Sequence, residues 1–291
     1  MRLVTCRSPS GDAVAVLDGD YVIPLRELVP EAPGEMLGVI AADEPLRARL
    51  AAALQSAPGA ARRPLGGVEL RAPIPRPGKI LCLGLNYAAH AKEGGNEVPE
   101  HPTVFVRVTT SLVAPGAPVV RPRVSEQLDY EVELVIVIGA RCHDVAEDQA
   151  LAHVFGYTIM NDVSVRDYQR RTSQWTLGKN FDGSGPMGPA IVTADELPAG
   201  ARGLGIRTRL NGELLQDGNT ADMVFPVPRI VALLSQVMTL EPGDVIATGT
   251  PSGVGHARRP PLWMKPGDVV TCEIDGIGTL SNPIVDAVEA R

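Results

Sequence analysis

Asp129-Tyr130-Glu131-Val132-Glu133 runs directly into the apolar stretch Leu134-Val135-Ile136-Val137-Ile138. Side chains alternate along a strand, so Glu131 and Glu133 face the same way. Two like charges side by side at the mouth of a buried strand are unfavourable unless something neutralises them. A divalent cation that takes oxygen ligands, Mg²⁺ or Mn²⁺, would do so. The alternative is an exposed strand start with two solvated glutamates. Downstream, Gly156-Tyr157-Thr158-Ile159-Met160-Asn161 reads as a second strand, and Asp162 at its end offers a third carboxylate. Three carboxylates around such an ion leave positions for water and a bidentate substrate. In the competing reading Asp162 caps a helix over 163–174.

A third group lies in Asn86-Tyr87-Ala88-Ala89-His90-Ala91-Lys92-Glu93-Gly94-Gly95, just after an apolar strand over 79–83. In a short helix His90 and Glu93, three apart, share a face. A carboxylate beside an imidazole orients it and raises its basicity, which suits a general base that activates water. The same spacing also fits a surface ion pair on a helix stopped by the glycines, and the glycine pair would permit a hinge. Lys179, between Gly178 and Asn180-Phe181, is either solvated or partly desolvated with its charge aimed at an anion. Thr250 sits in a Gly-rich stretch, Gly249-Thr250-Pro251-Ser252-Gly253, that lacks the ending of a phosphate-binding P-loop. Its backbone N–H groups would still suit a carboxylate or an oxyanion. His101, His143, His153 and His256 have no evident partner and are read as structural, as are Trp175 and Tyr157.

The elements that must position these groups are short. Residues 13–17 and 21–25 form a hairpin around Asp18-Gly19-Asp20. Asp43 caps a helix with Leu46, Leu50 and Leu54 on one stripe. Pro73, Pro75, Pro77 and Gly78 make a stiff connector, taken as the boundary between a small N-terminal α+β domain (1–72) and a larger domain (73–291). Beyond it, turn signals at Asn211-Gly212, Pro242-Gly243-Asp244, Pro266-Gly267-Asp268 and Asp275-Gly276 separate short strands, which argues for a β-rich roll or barrel-like core.

From Ile80 to Pro283 the chain resembles the fumarylacetoacetate hydrolase family. The resemblance runs in order through Gly84-Leu85-Asn86-Tyr87-Ala88-Ala89-His90-Ala91-Lys92-Glu93, Asp129-Tyr130-Glu131-Val132-Glu133-Leu134 and Asn161-Asp162-Val163-Ser164-Val165-Arg166-Asp167. It continues through Gly178-Lys179-Asn180-Phe181-Asp182, Gly249-Thr250-Pro251-Ser252-Gly253-Val254-Gly255 and Gly276-Ile277-Gly278-Thr279-Leu280-Ser281-Asn282-Pro283. It implies a mixed β-roll catalytic domain, within a β-rich α+β chain, and a homodimer. It carries the metal ligands onto Glu131, Glu133 and Asp162, the dyad onto His90 and Glu93, and the active-site lysine onto Lys179. Gln169 and Thr250 fall on positions that meet substrate. Where many relatives have Phe-x-Lys-Pro this chain has Phe105-Val106-Arg107-Val108, so Arg107 is expected to present a guanidinium fork at the pocket edge. Val163 is bulkier than its counterparts and is expected to narrow the pocket.

The activity implied is Mg²⁺- or Mn²⁺-dependent hydrolysis of a C–C bond in a 1,3-dicarbonyl 2-oxo acid, of the acylpyruvate or fumarylpyruvate type met in aromatic catabolism. Two alternatives stay open. One is a decarboxylase, isomerase or hydratase of 2-oxo (di)acids on the same site, of the oxaloacetate decarboxylase or 2-hydroxyhepta-2,4-diene-1,7-dioate isomerase type. The other is a non-catalytic binding protein that keeps the fold. Composition agrees with an enzyme of a small anionic substrate: 27 basic against 34 acidic residues give a net charge of −7, which argues against nucleic acid or an anionic membrane as partner. The run Arg170-Arg171 reads as a solvated helix face. Four scattered cysteines, the lack of an apolar leader and the absence of a membrane-length apolar run fit a cytoplasmic protein.

Overall fold

Val132–Ile138 is buried along its entire length and lies at the heart of the fold. The computed structural model describes residues 1–8 and 11–288. The strand is apolar on both faces because each face meets a different core. Val132, Leu134, Ile136 and Ile138 belong to one apolar cluster, shared with Ile230 and Leu234 of the helix Val227–Val237 and with Ile206, Cys272 and Leu280. Val135 and Val137 belong to a second, shared with Leu3, Leu25 and Leu50 of the N-terminal segment and with Cys82 and Phe105. Alternation therefore sets Glu133 on the face of Val135 and Val137.

Val132–Ile138 pairs antiparallel with Val154–Asn161 on one side and with Val245–Ala247 on the other. The large sheet has eleven strands, and its path runs from Arg63–Pro64 at one end to Thr103–Val106 at the other. Both ends are free, so this is an open mixed roll and not a closed barrel. Ile80–Gly84 lies parallel to Val245–Ala247, which brings the start of the helix Ala88–Glu93 to the same end of the sheet as Glu133. A five-stranded sheet, ordered Glu213–Asn219, Gly205–Leu210, Val269–Ile274, Gly278–Asp286 and Val119–Arg121, gives Ile206, Cys272 and Leu280 to the first core and Leu210, Val270 and Ile284 to a third. The chain is β-rich α+β.

The turns follow their residues. Leu210 pairs with Glu213 across Asn211-Gly212, whose φ values of 52° and 87° are the left-handed pair that a two-residue hairpin needs. Asp43 accepts the Leu46 N–H at 3.1 Å and opens the helix Glu44–Gln55, which buries Leu50 completely. The N-terminal hairpin Gly11–Asp18 and Tyr21–Pro24 forms as expected. Across the proline-rich connector the large sheet is continuous, since Arg2–Ser8 pairs with Gly185–Thr193.

The competing reading of Asp162 as a helix cap does not hold. No helix covers 163–174: Ser164–Val165 pairs with Leu128–Asp129 instead, and only Arg166–Gln169 is helical before a second short turn at Thr176–Lys179. The strand pairing holds this backbone instead, and the Arg166 N–H extends it by donating to Gln127 O at 3.0 Å.

Candidate metal centre and catalytic cavity

Three carboxylates converge because two strands are stitched together at their ends. The Asp162 N–H donates to Glu131 O at 2.8 Å, and the Glu131 N–H donates to Asn161 Oδ1 at 2.9 Å. Asp162 and Glu131 thus stand opposite each other, with Glu133 two residues further on the same face. One oxygen of each lies within 4.8 Å of the others, and all three residues are buried.

Charge around the triad is unevenly balanced. Four buried carboxylates, Asp129, Glu131, Glu133 and Asp162, face three buried cations, Arg107, Arg166 and Lys179. Arg166 Nε donates to Asp129 Oδ2 at 2.8 Å and its Nη2 to Glu131 Oε1 at 2.5 Å. Lys179 Nζ donates to Glu131 Oε2 at 2.6 Å and also to Asp162 Oδ2. Burial alone would raise the Glu131 carboxyl, but the buried Arg166 and Lys179 cations reverse that and hold it well below the usual range. Glu133 has no cation at ion-pair distance among the described residues and accepts only the Gly249 N–H, at 2.8 Å. Burial, Asp162 and Glu131 push its carboxyl well above the usual range. A buried all-oxygen set with one carboxylate too many fits a divalent cation, which would remove that repulsion. Glu131, Glu133 and Asp162 would hold it.

The three carboxylates line a cavity of about 460 Å³ together with His90, Glu93, Gln169, Lys179 and Thr250. His90 Nδ1 lies 2.8 Å from Glu93 Oε1, and Glu93 Oε2 accepts the Gly253 N–H at 2.8 Å. A carboxylate can only accept, so a neutral His90 ring would carry its proton on Nδ1, leaving Nε2 as the nitrogen able to act as base. The expected helix is present as Ala88–Glu93, ended by Gly94 and by Gly95 at φ 76°. Asn86 secures its approach: Oδ1 accepts the Phe225 N–H at 2.7 Å, and Nδ2 donates to Thr248 O at 2.7 Å. Thr250 Oγ1 accepts from Gln216 Nε2 at 2.8 Å, so Thr250 is held in position at the wall.

Several positions differ from expectation. Arg107 does not line the cavity. Its Nε donates to Asp162 Oδ1 at 2.5 Å, its Nη2 to Val163 O at 2.7 Å and its Nη1 to Ser184 Oγ at 3.2 Å. A fully buried guanidinium needs a carboxylate, and Asp162 supplies it from behind the triad. Val163 is buried among Val119, Leu128 and Tyr130 and does not narrow the pocket. Lys179 is 2% exposed, and its ammonium braces two of the triad's carboxylates. Gln169 accepts from Arg166 Nη1 at 2.9 Å.

Sequence reasoning missed Arg166, Asp129 and His256. Asp129 gathers Arg166, the Gly255 N–H at 2.7 Å and the His256 N–H at 3.0 Å, tying the loop after Thr250 to the triad. Contrary to a purely structural role, His256 lines the cavity with Nδ1 3.3 Å from Asp129 Oδ2. The excess of carboxylates in apolar strands was the available signal for Arg166. Trp175 packs edge-on to Phe105 with ring centroids 5.6 Å apart, and both rings form cavity wall. Arg170, read as part of a solvated face, also lines the cavity.

Residues 79–285 match the family model described as fumarylacetoacetate (FAA) hydrolase C-terminal. The chain is 41% identical to the oxaloacetate tautomerase fahd2, mitochondrial, of Xenopus laevis, over 98% of this chain and 90% of that protein. It is 47% identical to the oxaloacetate tautomerase YisK of Bacillus subtilis (strain 168), over 76% and 74% of the two chains. Among solved structures, the maleylpyruvate hydrolase of Sphingobium sp. SYK-6, in complex with manganese(II) ion and pyruvate, superposes with a TM-score of 0.81 at 34% identity, covering 99% of this chain and 100% of that one. With that model matched over most of the chain and relatives above 40% identity along nearly its whole length, this protein belongs to the fumarylacetoacetate hydrolase family of enzymes.

Proposed function

We propose that this enzyme catalyses the keto–enol tautomerisation of a short 2-oxo acid of the oxaloacetate type, with Mg²⁺ or Mn²⁺ held by Glu131, Glu133 and Asp162. The observation that carries this reading is the His90–Glu93 pair lining the same cavity as a buried carboxylate triad. The near full-length likeness to an oxaloacetate tautomerase supports tautomerisation over the hydrolysis expected from the motifs. A divalent cation bound there would supply Lewis-acid polarisation of the 2-oxo carbonyl and lower the barrier to removing the adjacent proton. His90 Nε2 takes a proton from C3. The C–H pair becomes the C2–C3 double bond, and charge moves onto the 2-oxo oxygen. The imidazolium then gives its proton to that oxygen, so a C–H bond is exchanged for an O–H bond with no net change in atoms. Glu93 holds the ring and balances its transient charge, and Gly253 in turn holds Glu93. Lys179 and Arg166 keep Glu131 ionised throughout.

Hydrolytic cleavage of an acylpyruvate-type substrate is the second reading, favoured by the manganese- and pyruvate-containing hydrolase with the same fold. The dyad would then deprotonate water instead of C3. The two separate in one experiment. Purified protein with Mg²⁺ or Mn²⁺ is given enol-oxaloacetate, whose ultraviolet absorbance is lost on ketonisation, and in parallel acetylpyruvate and maleylpyruvate with pyruvate release as readout. Acceleration of the first alone supports tautomerisation, and pyruvate release supports hydrolysis. Activity on neither substrate class overturns both.

A further inference from the structure

Arg170 and Arg259 line the catalytic cavity, and their surroundings set them apart from the arginines beside them. Arg166 is bound to Asp129, Glu131 and Gln169. Arg171 turns away and stacks on Tyr168, 3.4 Å from the ring centroid. Arg258 points inward, its Nη2 donating to Leu215 O at 2.7 Å and its Nε to the Tyr130 hydroxyl at 3.1 Å. Arg170 and Arg259 have no carboxylate at ion-pair distance among the described residues, and the one hydrogen bond of the Arg259 side chain goes to Arg258 O at 3.4 Å. Every other arginine or lysine on this wall is already neutralised or turned away.

Their anchors aim them. Arg170 follows directly on the helix Arg166–Gln169, whose first residue is pinned to Glu131 of the triad and to Asp129 beside it. Arg259 follows Arg258 on the loop that Asp129 ties down through Gly255 and His256. Both side chains reach solvent at the cavity's mouth. Partial burial and the like charge of Arg166 push Arg170 below the usual arginine value, and Asp129 offsets this only in part.

We propose that Arg170 and Arg259 form a subsite for the second carboxylate of a 2-oxo dicarboxylate, and so make the cavity selective for diacids over the matching monoacids. This rests on the 2-oxo acid reading of the site and names the substrate class. The oxo-acid end belongs at the triad, and the distal carboxylate meets two guanidiniums whose donors have no other anion. An exposed ion pair of this kind is worth up to about fivefold in affinity and roughly threefold in mid-range, so two of them multiply to roughly tenfold.

The test uses unreactive analogues, so that binding is read apart from turnover. Calorimetry with the Mg²⁺-supplemented enzyme compares malate, a 2-hydroxy diacid, with 2-hydroxybutyrate, its monoacid counterpart. The wild type should prefer malate, and Arg170→Gln with Arg259→Gln should lower the malate to 2-hydroxybutyrate affinity ratio by about tenfold, each single change giving part of the loss. Arg170→Lys and Arg259→Lys, which keep the charge, should retain most of the preference. A wild type without a malate preference, or a double variant that keeps it, overturns the subsite. Intact malate preference in an enzyme inactive on all 2-oxo acids would instead sink the proposed reaction and leave the diacid subsite standing.

Discussion

The Gly249 N–H donates to Glu133 Oε2 at 2.8 Å, and among the described residues it is the one hydrogen bond that this carboxylate receives. Gly249 can approach so closely because it sits at φ 95°, and a Cβ there would stand 2.8 Å from the Asn86 Cβ. Gly249→Ala therefore strains the loop and misdirects Glu133 together. Divalent-ion affinity should fall about 10- to 100-fold, the usual effect of losing a partner behind a ligand. Isothermal titration with Mn²⁺ reads this, and an unaltered affinity would show that Glu133 needs no such support.

The triad should make stability depend on metal. Chelated wild-type protein given Mn²⁺ at a hundred times its dissociation constant should gain about 2.7 kcal/mol. That corresponds to a rise of several degrees in melting temperature. Asp162→Ala should show no such rise. A chelated sample that keeps full activity would argue that the carboxylates serve some other purpose.

Glu133 gives the metal-free protein a distinctive pH dependence. Its folded pKa lies above the unfolded value, so its contribution to stability is complete below about pH 4.3 and is lost as pH rises through the folded pKa. Glu131 is the reverse: its pKa is lowered, so its contribution is present above that same value and is lost as pH falls. Glu133→Gln should therefore melt higher than wild type in chelator, by roughly 3 °C near neutrality, and the gap should widen as pH increases. Thermal melts from pH 5 to pH 9 measure it. The same variant should no longer respond to Mn²⁺.

His90→Ala should reduce the proposed reaction by roughly 10²–10⁴-fold, the range for losing a general base. Glu93→Gln should cost less, because the ring remains but loses its charge partner. Metal affinity of both variants should stay close to that of the wild type, which calorimetry can verify. A His90→Ala enzyme within a few-fold of wild type would remove the dyad from the mechanism.

Asn86 is fully buried and joins three segments through Phe225 and Thr248. Asn86→Ala leaves those backbone groups without partners, and each buried orphan costs about 1–3 kcal/mol. A loss of roughly 3 kcal/mol or more is expected in urea unfolding. Asn86→Asp should fare no better, since the Nδ2 donor to Thr248 O is lost and a charge is buried in its place.

What the chain announces by itself is local. Strand alternation puts Glu131 and Glu133 on one face, three-residue spacing puts His90 beside Glu93, and Asp43 and Asn211-Gly212 carry their cap and turn in their own chemistry. Such features need only neighbours in sequence, so they are legible before folding. The order of motifs from Ile80 to Pro283 likewise pointed to the family. Tertiary structure decided what depends on partners far along the chain. Arg107 is drawn behind Asp162, 55 residues away, and not to the pocket edge, because a buried guanidinium must meet a carboxylate. The stretch 163–174 gives up a helix because Leu128–Asp129 offers Ser164–Val165 a ladder. Arg166, Asp129 and His256 become one cluster only when the loop after Thr250 folds back onto the first carboxylate strand. Charge neutralisation in a buried site is a property of the assembled neighbourhood, and no window along the sequence contains all its members.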